Sequence, residues 1–239
     1  MAFTSLEGKS ELFKFSAGTA IASIFILFFV FFAELNPELL NALSVEDALI
    51  ENLTAIIYGI SSIFFLVMAK RSDFLRSKEH GLRFAATLSW ALLCFIIMGE
   101  EISWGQRIFN LETPASVAAI NVQSELNVHN LAIFGETVGG HYRLLTLLML
   151  TTGIILPLVA LTKPGRNILY YFAYPVAPLY LWMFFLGGYI FGNYYYTGQA
   201  DRFAPEVREL IFSVGILGYS LQGMIRPCVL FRICGKRTS

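Results

Sequence analysis

The sequence predicts an all-α protein, a polytopic transmembrane bundle of about six spans with a polar, partly helical re-entrant or interfacial segment between spans 3 and 4. Three observations predict it. Of 239 residues, 56% are hydrophobic and only 14% are charged, against about 25% charged in an average soluble domain. The mean hydropathy is +0.63. The apolar residues are gathered into runs close to the roughly 20 needed to cross a bilayer. Such a chain has too little polar surface for a water-soluble globule. That excludes a secreted domain, a disordered tail and a nucleic-acid binder.

Six runs qualify or nearly so: residues 15–33, 52–69, 84–103, 143–162, 168–192 and 208–226, within one integral membrane domain over 1–239. The first follows Lys9 and Lys14, as in a signal peptide. Yet Phe15 to Ala33 exceeds the usual apolar core of about 7–15 residues. Val30-Phe31-Phe32-Ala33 also lacks the small residue that a cleavage site needs two positions before Ala33, so a retained anchor is expected. Ahead of the second run, Ser44-Val45-Glu46-Asp47 reads as a helix start, with Ser44 as N-cap and acids in the first turn. Gly81, Pro164-Gly165 and Pro205 punctuate the connections. Pro175 and Pro178 favour a kink in the fifth run. Beyond them Gly188 and Gly192, beside Gly187, form a GxxxG spacing that permits close helix approach. Tyr194, Tyr195 and Tyr196 read as an interfacial aromatic belt or, in the alternative, as the lining of a cavity mouth.

Seventeen Lys and Arg balance seventeen Asp and Glu, so orientation is read from their placement. Thirteen of the seventeen bases lie at the N-terminus (Lys9, Lys14), in the second connection (Lys70, Arg71, Arg76, Lys78, Arg83), in the fourth (Lys163, Arg166) and in the C-terminal tail (Arg226, Arg232, Lys236, Arg237). Residues 34–51 have no base and carry Glu34, Glu38, Glu46, Asp47 and Glu51. By the positive-inside rule both termini are expected to be cytoplasmic, in a multi-pass protein of the plasma or inner membrane. The segment 104–142 then faces the other side. The three cysteines, Cys94, Cys228 and Cys234, make neither a disulfide framework nor a zinc spacing. Cys94 reads as packing.

The informative stretch starts where the third run ends. Gly99-Glu100-Glu101-Ile102-Ser103-Trp104-Gly105-Gln106-Arg107 leads through Pro114 to Asn121-Val122-Gln123-Ser124-Glu125-Leu126-Asn127-Val128-His129-Asn130. If the third helix starts near Phe84, Glu101 is about 17 residues along, roughly 25 Å at 1.5 Å per residue, within a hydrocarbon core of about 30 Å. An acid facing lipid at the helix centre costs on the order of 2.5–3.5 kcal/mol, less near an interface. Facing inward among partners is the cheaper state. Glu100, Trp104 and Arg107 share one helical face. Arg107 therefore reads as a counter-ion or as a clamp for an anionic headgroup.

The second half reads as a short helix starting after Pro114. Glu125 and His129 then stand at i, i+4, where side chains meet. Carboxylates with an imidazole suit two kinds of chemistry. They bind zinc, manganese or iron, and a metal so held activates water. Without metal, a partly desolvated Glu serves as general acid or base. Glu101, Glu125 and His129 are the expected catalytic groups and the candidate ligands of a divalent metal, with His141 and Glu136 as further ligands. Glu100, Trp104, Gln106, Arg107, Asn121, Gln123, Asn127 and Asn130 are the expected substrate-binding groups.

The paired strings Glu100-Glu101-Ile-Ser-Trp-Gly-Gln-Arg107 and Asn121-Val-Gln-Ser-Glu125-Leu-Asn127-Val-His129-Asn130 resemble the signature of an uncharacterised family of bacterial polytopic membrane proteins. The likeness covers about thirty residues of motif. Asn110 and Val128 stand where that pattern has Gly and Leu, and neither swap removes a polar site residue. The resemblance implies a membrane bundle and brings no activity. A looser similarity is to intramembrane hydrolases of the ceramidase and receptor-like type. Their multiple-His zinc pattern is not matched, since the histidines are His80, His129 and His141 and His80 falls on the basic side.

Three functions follow from the residues. The first is a membrane enzyme, a metal-assisted hydrolase or transferase, acting on a lipid or lipid-linked substrate at the extracytoplasmic face. The second is a transporter or small-molecule binding protein, for which intramembrane Glu and Pro-broken helices are also signs. Six spans without a detectable inverted repeat would then call for a homo-oligomer. The third is a structural or assembly protein.

Overall fold

A computed structural model describes residues 5–45, 48–70, 80–106, 108–121, 125–127, 140–195 and 203–231, the side chains of 5–9, 80, 141–142 and 228 excepted. These residues form an all-α protein with no β-strand among them. In chain order the helices are α1 (Ser5–Leu35), α2 (Pro37–Leu43), α3 (Leu49–Lys70), α4 (His80–Glu101), α5 (Ala115–Ala118), α6 (Gly140–Leu150), α7 (Leu156–Val159), α8 (Lys163–Tyr171), α9 (Trp182–Tyr195), α10 (Phe203–Ile225) and α11 (Pro227–Leu230). Ser10–Leu35, Leu49–Lys70 and Gly81–Glu101 are long and apolar enough to cross a membrane, and Arg143–Val159 is a shorter apolar stretch.

Ser44 does not start α3. It closes α2, its N–H donating to the Asn41 carbonyl at 3.0 Å. The stronger start signal lies upstream. The Asn36 side chain accepts from the Leu39 N–H at 3.0 Å, and Pro37 occupies the first turn, where its missing donor costs nothing.

The fourth run is continuous in direction but not in winding. α6 passes through a π-turn at Thr151–Ile155 into α7. The fifth run, expected over 168–192, is divided. α8 ends at Tyr171, residues 174–178 are non-helical, and a 3-10 turn at Leu179–Leu181 leads into α9. Ala173 at φ 50 turns the chain, and Pro175 and Pro178 withhold two helix donors. Two long-range bonds satisfy groups of this break: the Val176 N–H donates to the Leu230 carbonyl at 2.9 Å, and the Tyr219 hydroxyl to the Pro175 carbonyl at 2.7 Å.

α3 packs between α4 and α10, and α10 packs on α9, which packs on α1. At the centre Phe65, Trp90 and Tyr219, one from each of α3, α4 and α10, stand with ring centroids 5.2–5.8 Å apart. Cys94 is buried in this core, as its apolar surroundings require. The GxxxG glycines of α9 face inward: a Cβ at Gly188 would meet the Phe212 ring, and one at Gly192 would stand 2.6 Å from Arg208 Cδ. Outward, Ile24, Phe28 and Phe31 of α1, Ile56 and Ile63 of α3, and Leu92, Phe95 and Ile96 of α4 are exposed apolar side chains. On membrane-crossing helices such side chains make the lipid-facing belt.

Candidate functional site

Two polar assemblies meet at the end of α4. Glu101 belongs to one, and the segment after it forms the other. Ser103, Trp104 and Gly105 have φ of 45°, 55° and 76°. Three left-handed residues in succession end the helix and reverse the chain. Gly105 fits this conformation at no steric cost. The other two are held there by side-chain contacts.

Trp104 folds back along α4. Its indole N–H donates to Glu100 Oε1 at 2.7 Å, and its ring meets Phe95 at 6.1 Å. Gly99 makes room, since a Cβ there would come within 2.9 Å of the indole. Glu100 and Trp104 therefore meet as their spacing suggests, but through a reversed turn and not through one more turn of helix. Arg107, expected on the same face, lies outside the described residues.

The Ser103 hydroxyl points the other way and donates to Glu125 Oε2. The Asn127 amide donates to the same Glu125 oxygen at 2.9 Å and to Ser103 Oγ at 3.0 Å. The Asn121 amide donates to the Asn127 carbonyl at 2.8 Å and to its Oδ1 at 3.0 Å, while Asn121 Oδ1 accepts from the Glu125 N–H at 3.2 Å. Gln106 closes the network. Its Oε1 accepts from the Leu126 N–H at 2.7 Å, and its amide donates to Thr113 Oγ1 at 2.5 Å. Ser103, Asn121, Glu125 and Asn127 are all buried. The network binds the second half of the polar stretch to the first.

The helix expected after Pro114 is shorter than its sequence suggests. α5 ends at Ala118, and Glu125 to Asn127 are non-helical. The i, i+4 geometry proposed for Glu125 and His129 therefore has no helix at its Glu125 end. Asn121 competes with helix by bonding the local backbone at Glu125 and Asn127. His129, Gln123, Asn130 and Glu136 lie outside the described residues, as does the side chain of His141.

Glu101 faces a different neighbourhood. Its carboxyl stands against that of Glu209 on α10, with Glu206 and Glu51 adding negative charge nearby. Arg208 Nη2 lies 3.7 Å from Glu209 Oε1. From α3 the Tyr58 hydroxyl adjoins the pair electrostatically. Tyr58 and Thr54 are fully or almost fully buried, and neither side-chain oxygen has a hydrogen-bond partner among the described residues. Glu51, Thr54 and Tyr58 fall on one helical face at i, i+3 and i+7. Gly192 of α9 leaves the space that the Arg208 stem fills. Two carboxyls from different helices thus stand together, with the Arg208 guanidinium beside one of them.

The carboxylates bearing on Glu101 thus come from α3 and α10, while Glu125 is engaged by Ser103 and Asn127. Among the described residues no group of three or more His, Cys, Asp or Glu is placed to hold a metal ion. Glu209, Glu206, Glu51, Tyr58 and Ser103 were not among the expected site residues. Glu209 carried one signal, an acid one residue inside an apolar run, and intramembrane acids are functional candidates by default. No protein-family model, curated protein or solved structure matches the chain.

Proposed function

We propose that the chain is an integral membrane carrier or binding protein whose working element is the Glu101–Glu209 pair, a site that takes up and releases a proton. The supporting observation is the contact itself: two carboxyls from different helices, packed against a third helix that brings buried Tyr58. With the shared proton the pair is a hydrogen bond. Without it, two carboxylates in a poorly hydrated interface share the Arg208 cation, 3.7 Å from Glu209, and the residual repulsion gives α4 and α10 a reason to separate. Proton occupancy is thereby linked to helix packing, which is what a proton-linked carrier requires. The test is infrared titration of the purified protein in lipid. A protonated-carboxyl band that disappears in both Glu101→Gln and Glu209→Gln is expected, together with proton flux into vesicles that Glu101→Gln abolishes. Absence of that band at every pH from acid to neutral would remove the reading.

A second reading is a membrane hydrolase or transferase acting on a lipid, with Glu101 as acid or base. The exposed apolar rim beside the polar network, where Ile108 and Phe109 stand, favours it by offering lipid an approach. Turnover of a headgroup-labelled phospholipid by the reconstituted protein, lost in Glu101→Gln, is its test.

A further inference from the structure

The segment after α4 differs from a solvated loop in where its large apolar side chains stand. The amides that anchor it are buried, Asn127 at 3% exposed and Asn121 at 5%, while Asn110, Glu112 and Ser116 are exposed. Its large apolar side chains point outward: Ile108 is 71% exposed and Phe109 70%, with Leu111 and Ile120 also more than half exposed. A loop meant for water has the opposite distribution, because exposing apolar area costs about 25 cal/mol per Å². The same distribution is what a non-polar solvent selects.

The depth of the segment supports the same solvent. α4 from Gly81 to Glu101 is 21 residues, about 31 Å at 1.5 Å per residue, so Glu101 stands at the edge of a hydrocarbon core about 30 Å thick. A chain that continued outward would leave the bilayer. This chain reverses at Ser103–Gly105, and Trp104 returns to Gly99 and Phe95, one to two turns back towards the bilayer centre. The Phe109 ring lies over Gly105, where a Cβ would come within 3.0 Å of it. Phe95 itself is an exposed side chain of the lipid-facing belt. The apolar rim of the segment is therefore continuous with that belt through the Phe95–Trp104 contact.

We infer that residues 108–120 form a membrane-inserted paddle, whose apolar rim of Ile108, Phe109, Leu111 and Ile120 is covered by the lipid of the leaflet at the Glu101 end. Amphipathic segments of this kind bury their apolar side about 5–10 Å into the boundary between headgroups and acyl chains. The internal hydrogen bonds of Ser103, Gln106, Asn121, Glu125 and Asn127 make this tolerable. Polar groups entering lipid must be satisfied within the protein, and these five side chains are engaged there. Exposed Glu112 marks the side that reaches headgroups and water.

The experiment is cysteine labelling of the full chain, reconstituted alone in phosphatidylcholine vesicles, with a membrane-impermeant maleimide. Ile108→Cys, Phe109→Cys and Glu112→Cys are compared with the unsubstituted chain, whose own buried Cys94 supplies the background along with Cys228 and Cys234. Glu112→Cys should label readily, and the 108 and 109 variants at least about tenfold more slowly, as insertion into the acyl boundary requires. Equal labelling at all three positions would overturn the inference, as would no labelling at position 112. Protection of 108 and 109 in native membranes but not in the reconstituted protein would assign the rim to a protein partner instead. Protection that rises with the protein-to-lipid ratio would assign it to a second copy. Either result also overturns it. The proton reading of Glu101 is measured separately, so neither result depends on the other.

Discussion

Ser103 and Glu125, twenty-two positions apart, are joined by a hydrogen bond in which the serine hydroxyl donates to a buried carboxylate. This bond sits two residues beyond Glu101 and holds the paddle against the end of α4. It explains why a sequence stretch so rich in Glu, Asn and Gln can lie beside apolar helices. Its polar groups satisfy one another.

Ser103→Ala removes a donor from a buried acceptor, and a loss of about 1–3 kcal/mol is expected. Glu125→Gln places an amide opposite the Asn127 amide and should cost a similar amount. Both changes should lower the thermal midpoint of the protein in detergent while leaving the infrared carboxyl signal of the Glu101 pair in place. A Glu125→Gln protein of unchanged stability and abolished function would instead make Glu125 a reacting group.

Glu101 and Glu209 should behave as one unit. Each Gln substitution alone replaces the shared-proton bond with an amide–carboxyl contact. The double substitution leaves an uncharged amide–amide pair. The single effects on stability should therefore fail to add, with a coupling of about 0.5–3 kcal/mol between contacting residues. A double-mutant cycle by chemical unfolding measures it. Strict additivity would mean that the two carboxyls are not in contact.

Gly99 should tolerate no side chain without moving Trp104. A Cβ there would come within 3.0 Å of three indole carbons, and overpacking of this kind costs about 1–3 kcal/mol. In Gly99→Ala the tryptophan should leave Phe95 and Glu100, visible as a shift in Trp104 fluorescence that is absent from Trp104→Phe. Identical emission from Gly99→Ala and wild type would contradict the folded-back indole.

Gly153 in the π-turn presses on Phe185, whose ring carbons a Cβ there would overlap. Gly153→Ala should destabilise by about 1–3 kcal/mol, and Phe185→Leu in the same chain should recover part of it. The check is the unfolding midpoint of the single and double variants.

Composition and apolar run length were enough to determine the all-α class and helices able to cross a membrane at Ser10–Leu35, Leu49–Lys70 and Gly81–Glu101, because hydrocarbon admits only long apolar segments whose backbone is satisfied internally; the fifth run, read as one span, is divided in the fold. They also marked the 99–130 stretch as unusual, since acids and amides next to a span demand partners. The partners were decided by tertiary structure. Glu101 and Glu209 are 108 positions apart, and no local spacing brings α4 to α10. That meeting depends on α3 packing between them and on Gly192 leaving room for Arg208. The same limit separated Glu125 from an i, i+4 helix: its hydrogen bonds to Ser103 and Asn127 outweigh the local helical preference. Periodicity reports which faces are apolar. Which polar groups then find each other depends on how the helices pack.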